Sequence, residues 1–180
     1  MPLRGDLVGR RRPGGLIGRP APVEKLVYLL WGKPDAAAGD ALRIRLLTES
    51  VPRLRSAGAR AITVSVHDSL AAEAPSPAPG PRGEPSPIAQ VSTWFDSYDK
   101  RGDADDVMAA LGPAASGYLV TESLYDDYGT TPHSPPRSWP DGERSPGVLT
   151  VALVHRPADL EPAEWIERWH GVQSPASGRL

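Results

Sequence analysis

The chain has 180 residues, enough for one ordinary domain or two small ones, and its 39% hydrophobic content suits a folded protein better than a disordered one. A formal net charge of −2 supplies no long-range field to attract nucleic acid or an anionic membrane, so a small molecule or another protein is the expected partner. The absence of cysteine excludes disulfides and thiolate sites and fits a cytoplasmic protein, and the longest apolar runs fall far short of the ~20 residues a membrane helix needs.

Residues 1–22 are rich in Arg, Gly and Pro without hydrophobic periodicity and read as a disordered extension. The apolar stretch after Arg10, Arg11 and Arg12 is only Leu16 and Ile17, too short for an export signal. The ordered pattern begins at Val23, which makes a native start at that valine the sharper expectation. Lys25 to Trp31 is an apolar run of strand length, ended by Gly32, Lys33 and Pro34. From Asp40, expected as the N-cap, Leu42, Leu46, Leu47, Val51 and Leu54 fall at helical spacing. Pro52 should bend this helix near Val51, and Gly58 should close it. Ala61 to His67 alternates as a strand, residues 69–87 form a proline-rich loop, and Ile88 to Tyr98 resumes the alternation. Asp103 is expected to cap a short helix stopped by Gly112 and Pro113, and Ala115 to Ser123 supplies a fourth strand.

This order is the split βαβ arrangement, so the expected fold class is α+β: a ferredoxin-like βαββαβ unit with an antiparallel sheet, over residues 23–124. Both helices would cover one face, leaving the other to be roofed by a second sheet. After a proline-rich stretch at 125–146, Val148 to Val154 looks like a new first strand, opening a partial second unit at 147–180. A single shift of 123 residues carries Pro34 onto Pro157 and Pro52 onto Pro175, and also pairs Leu30 with Leu153, Lys33 with Arg156 and Arg45 with Arg168. The second helix carries Trp165, Trp169 and Val172 on one face, with Pro162 in its first turn. Coincidental similarity of two strand-helix pairs is the competing reading. The second unit stops after its helix, so the expectation is a truncated or frameshifted product, or a sheet completed by another molecule in a homodimer.

The stretch Glu24-Lys25-Leu26-Val27-Tyr28-Leu29-Leu30-Trp31 resembles the opening strand of EthD-domain proteins, and Trp165 to Pro175 resembles their first helix. That helix typically reads Trp-x-x-x-His-x-Pro; Trp169 and Pro175 match, but Gln173 stands in the histidine's place. In the first copy Leu46 and Ser50 replace the Trp and the His, leaving Pro52, so no role of that histidine carries over. The resemblance implies a dimeric α/β-barrel closed around a pocket for small, mostly hydrophobic molecules, in a family associated with oxidative degradation. Its superfamily includes polyketide cyclases, cofactor-independent monooxygenases, decarboxylases and haem-dependent enzymes, so an activity would be a cofactor-independent oxidoreductase or a cyclase-like one. The alternatives are a non-catalytic binding protein of the same fold and an inactive truncated product.

Strand alternation sends Thr63, Ser65, His67, Gln90, Ser92 and Trp94 to the face away from the helices, as the expected lining of a substrate pocket. His67 is the side chain there suited to proton transfer near neutrality; the other reading puts it at a strand end facing solvent. Trp169 is a further expected substrate contact, and His170 beside it is either a catalytic acid or base, a haem ligand, or an exposed helical residue. His155 at a strand end has the same alternatives. Four histidines without ligand spacing and no cysteines leave no expected metal site, and no cofactor is expected, with haem the alternative. The loop Tyr125 to Arg144, with Tyr128, His133, Arg137 and Trp139, reads as a connector or a lid. Nucleotide-binding and serine-hydrolase motifs are absent.

Overall fold

The apolar run near the start becomes β1, Glu24–Gly32, and lies at the centre of a four-stranded sheet. In the computed structural model, which describes residues 24–74, 85–112, 114–122 and 138–173, β1 pairs with β3 (Ser86–Phe95) on one side and β4 (Ala115–Val120) on the other. β2 (Ala61–Val66) flanks β3, giving the order β2-β3-β1-β4 with every neighbour antiparallel. The mixed fold with this sheet is the α+β, ferredoxin-like arrangement that the element order predicts. A central strand loses water on both faces, which explains its continuous rather than alternating hydrophobicity.

The helix after β1 starts earlier than its apolar periodicity suggests. Asp35, not Asp40, is the N-cap: its backbone is extended and its carboxylate accepts from the Ala38 N–H at 2.8 Å. Ala36, Ala37 and Ala38 have the highest helix propensity but form no apolar stripe, so they escape a pattern search. Asp40 lies inside α1 (Ala36–Arg45), where its carboxylate accepts from the Ser69 hydroxyl at 3.1 Å. The disturbance expected from Pro52 takes the form of a π-helical turn, Leu46–Ser50, in which the Val51 N–H reaches back to the Leu46 carbonyl. Widening the helix by one residue accommodates a proline that lacks the N–H of a regular turn, and α2 (Val51–Ser56) then continues to Gly58, whose φ of +95 closes it.

Leu46 and Leu54 on this helix are completely buried with Leu26, Tyr28, Leu30, Val91 and Phe95 of the sheet. Gly39 permits a close approach: a Cβ there would lie 2.1 Å from the His67 carbonyl oxygen. The buried carboxylate of Asp68 caps α3 (Ser69–Ala72) through the Ala71 N–H at 3.1 Å. It pairs with Arg144 and lies 3.4 Å from Arg43 Nε. Burial alone would raise the Asp68 pKa, but the Arg144 and Ala71 hydrogen bonds and the charges of Arg144 and Arg43 bring it below the usual carboxylate value.

β3 ends at Phe95 rather than Tyr98, because Ser97 caps a separate 3₁₀ turn, Tyr98–Lys100. Asp103 is likewise not a cap but lies in the first turn of α4 (Gly102–Ala109), where it and Asp105 complement the helix dipole. Ala104, Val107 and Met108 pack this helix on the same sheet face as α1 and α2.

The expected strand at 148–154 is not formed. Val148, Leu149, Val151, Leu153 and Val154 are exposed and have no strand neighbour among the described residues; a strand's backbone groups need a neighbouring strand, however apolar its side chains. The second helix is present as α5 (Pro162–Arg168) with Pro162 in its first turn, continuing into a π-helical turn, Trp169–Gln173. The N-terminal extension, the start at Val23, most of the prolines of the 69–87 loop, and Tyr128, His133 and Pro175 lie outside the described residues.

Candidate functional site

The β2–β3 register places Thr63 opposite Ser92, Ser65 opposite Gln90 and Ala61 opposite Trp94. Alternation therefore gathers Thr63, Ser65, Gln90, Ser92 and Trp94 on the sheet face turned away from α1, α2 and α4. Ser92 and Trp94 are buried, the other three are half-buried, and the Gln90 amide donates to the Ser92 hydroxyl at 3.2 Å. The same face holds two residues that sequence reasoning did not select. Lys25, directly opposite Trp94 in the register, holds its ammonium 4.7 Å from the indole centroid, and Glu122 pairs with Lys25 while accepting from Trp94 Nε1 at 3.4 Å. Lys25 is a charged residue at the start of an apolar strand, which is the available signal; Glu122 has none.

The expected catalytic histidines stand at the end of β2 and in the helical segment after α5. His67 follows the last residue of β2, where its backbone N–H donates to the Ile88 carbonyl at 2.8 Å and extends the ladder by one residue. Its side chain is half-buried at the strand end. His170 and Trp169 belong to the helical segment after α5, outside the sheet: Trp169 lies 5.5 Å from Trp165 between ring centroids, and His170 is exposed. His155 is exposed in the irregular stretch before α5.

A cleft of about 500 Å³ opens on the helix side instead, between α4 and the β1–β4 pair. Leu26, Met108 and Leu119 provide apolar walls, and Ala115 and Gly117 are too small to fill the space. Gly117 lets the Tyr28 ring lie close over β4: a Cβ there would be 3.0 Å from Tyr28 Cε1. The polar end is a short chain of contacts in which the Tyr28 hydroxyl donates to Asp105 Oδ1 at 2.8 Å and Arg101 Nε lies 3.3 Å from Asp105 Oδ2. The Arg101 guanidinium rests 5.1 Å from the Tyr98 ring centroid. Burial first, and then the Asp105 hydrogen bond and charge, raise the Tyr28 pKa well above the ordinary phenol value, so the hydroxyl remains a donor.

The sequence hides this cleft because Tyr28 reads as one more member of a hydrophobic strand and the charges of α4 read as a solvated face. The usable clue was that a tyrosine on a helix-facing position needs a partner for its hydroxyl. Leu119 is the exposed apolar side chain of the cleft, over the buried Leu26 and Met108, and the Asp105 carboxylate and Arg101 guanidinium form its polar end. Among the described residues no group of three His, Cys, Asp or Glu side chains could hold a metal ion, and no helix is long and apolar enough to cross a membrane.

No known family model and no curated protein matches the sequence. Among solved structures, the chain is similar to an ethyl tert-butyl ether D (EthD) family protein from Bacillus halodurans C-125, at 15% identity and a TM-score of 0.36. That match covers 56% of this chain and 99% of the other.

Proposed function

We propose that this chain is an EthD-like protein that binds a small hydrophobic or aromatic molecule. The observation that carries the reading is the cleft beside Tyr28: its volume lies in the range of small-molecule sites, and its apolar walls end in the Tyr28–Asp105–Arg101 chain. The motif resemblance at Glu24–Trp31 and Trp165–Pro175 points toward the same ligand class. A second reading places the ligand against Thr63, Ser65, Gln90, Ser92 and Trp94, and is favoured by the Lys25–Trp94–Glu122 cluster on that face.

Titration of the isotopically labelled chain with 2-naphthol, followed through backbone amide shifts, tests both. The first reading expects shifts at Tyr28, Asp105, Gly117 and Leu119, abolished by Ala109→Trp, which fills the cleft from an exposed helical position. Shifts centred on Ser92 and Trp94 that survive Ala109→Trp select the second. A saturable response at neither set of residues overturns small-molecule binding.

A further inference from the structure

The β1–β4 register sets Leu26 beside Leu119, Tyr28 beside Gly117 and Leu30 beside Ala115. The Tyr98 N–H donates to the Glu24 carboxylate at the start of β1, so the cleft runs along α4 with Arg101 at its Leu119 end and Ala109 at its Ala115 end. The Arg101 side chain is 44% exposed, yet three contacts fix its guanidinium. Nε lies 3.3 Å from Asp105 Oδ2, Nη1 donates to the Tyr98 carbonyl at 3.4 Å, and the guanidinium carbon rests 5.1 Å from the Tyr98 ring centroid. A surface arginine in a single ion pair keeps most of its rotamer freedom, whereas this one is held in place. Its Nη2 donates to no acceptor among the described residues, which leaves that part of the fork for a ligand.

We propose that the ligand of this cleft is a hydrophobic carboxylic acid, whose carboxylate pairs with Arg101 and whose apolar body lies along Leu119 and over Gly117. The inference deepens the cleft reading given above and rests on it. A carboxylate is planar, as the guanidinium is, and accepts through two oxygens, so the open donors of Arg101 match it better than they match a hydroxyl. A cationic ligand is disfavoured, because both oxygens of Asp105 already face donors, Tyr28 at Oδ1 and Arg101 at Oδ2. A guanidinium fixed before the ligand arrives loses little further freedom on binding. Leu119 is 54% exposed, and an apolar body laid on it removes that surface from water. Asp99, Asp103 and Asp106 are exposed and do not line the cleft, so solvent and salt screen their charge from the head group.

2-Naphthoate and 2-naphthol share one ring body and differ in the head group, so titrating the full labelled chain with each isolates the contribution of the carboxylate. Naphthoate is expected to bind roughly tenfold more tightly than naphthol, shifting the Arg101 Nε–H resonance together with the amides of Gly117 and Leu119. Arg101→Gln is expected to bring the two ligands to the same affinity, and Arg101→Lys to restore only part of the preference, because an ammonium keeps the charge without the fork. 2-Naphthylmethylamine, a cation at neutral pH, is expected to bind more weakly than naphthol. Naphthol that shifts the cleft residues while naphthoate gains nothing over it, a preference for the amine, or a naphthoate preference that survives Arg101→Gln overturns the carboxylate inference and leaves the cleft reading standing. Naphthoate shifts centred on Lys25 and Trp94 also overturn the inference, by moving the anion to the other face. A chain that responds to none of the three probes overturns both.

Discussion

The helical run from Ala36 to Ser56 and the one from Pro162 to Gln173 share a π-helical turn and an apolar stripe, but only the first packs into the described core. Leu46 has no exposed surface, while Trp169, its counterpart by the 123-residue shift, is half-buried, with Trp165 as an aromatic neighbour one turn away. The segments preceding them differ in the same way: β1 is enclosed by β3 and β4, and 148–154 forms no strand and is exposed. An amphipathic pattern therefore creates a demand for burial, and strand neighbours decide whether it is met.

Core truncation should expose this contrast most strongly. Leu46→Ala is expected to cost about 2–5 kcal/mol in urea unfolding, against about 0.5–1.5 kcal/mol for Trp169→Ala, the worth of an aromatic pair such as the one with Trp165. Equal losses would mean that the second helix is packed as firmly as the first. The glycines offer the next test. Gly39→Ala places a methyl against the His67 carbonyl and should cost about 1–3 kcal/mol, whereas Gly171→Ala, with no atom within 4 Å of its Cβ, should be neutral or stabilising.

A smaller effect concerns the buried carboxylate of Asp68, where Arg144 meets it. Because the folded-state pKa of Asp68 is lowered, its contribution is complete above the unfolded value of about 3.9 and is lost as pH falls through the lower folded value. Melting temperature should therefore decline in that acid range, and Asp68→Asn should flatten the decline. The smallest change is expected at the cleft, where Tyr28→Phe removes one hydrogen bond worth about 0.5–1.5 kcal/mol. Since the raised pKa of Tyr28 favours the protonated folded state, stability should fall once pH rises past about 10, and ultraviolet titration should show a late phase above the ordinary phenol range. The Phe variant should lose that late phase.

Much of the first unit was legible because strand and helix periods are local properties. The alternation of Thr63, Ser65, Gln90, Ser92 and Trp94 predicted their common face, and Pro52 marked the place where the helix departs from regularity. The start of α1 departs from the apolar periodicity because Asp35 caps a turn of alanines that carries no stripe, and α4 departs from the expected Asp103 cap because it begins at Gly102 with no side-chain cap at all. Neither the Tyr28–Asp105 contact nor the Lys25–Glu122 pair could be read this way, since 77 and 97 residues separate the partners.

The amino-acid sequence by itself determined the order of the elements in the first unit, the period of each, and the face on which each side chain stands. Tertiary structure decided which hydroxyl is buried, where small side chains leave a cleft, and which of two similar strands acquires neighbours. Periodicity depends on residues a few positions apart, whereas sheet register and helix packing join residues whose distance along the chain says nothing about their distance in space.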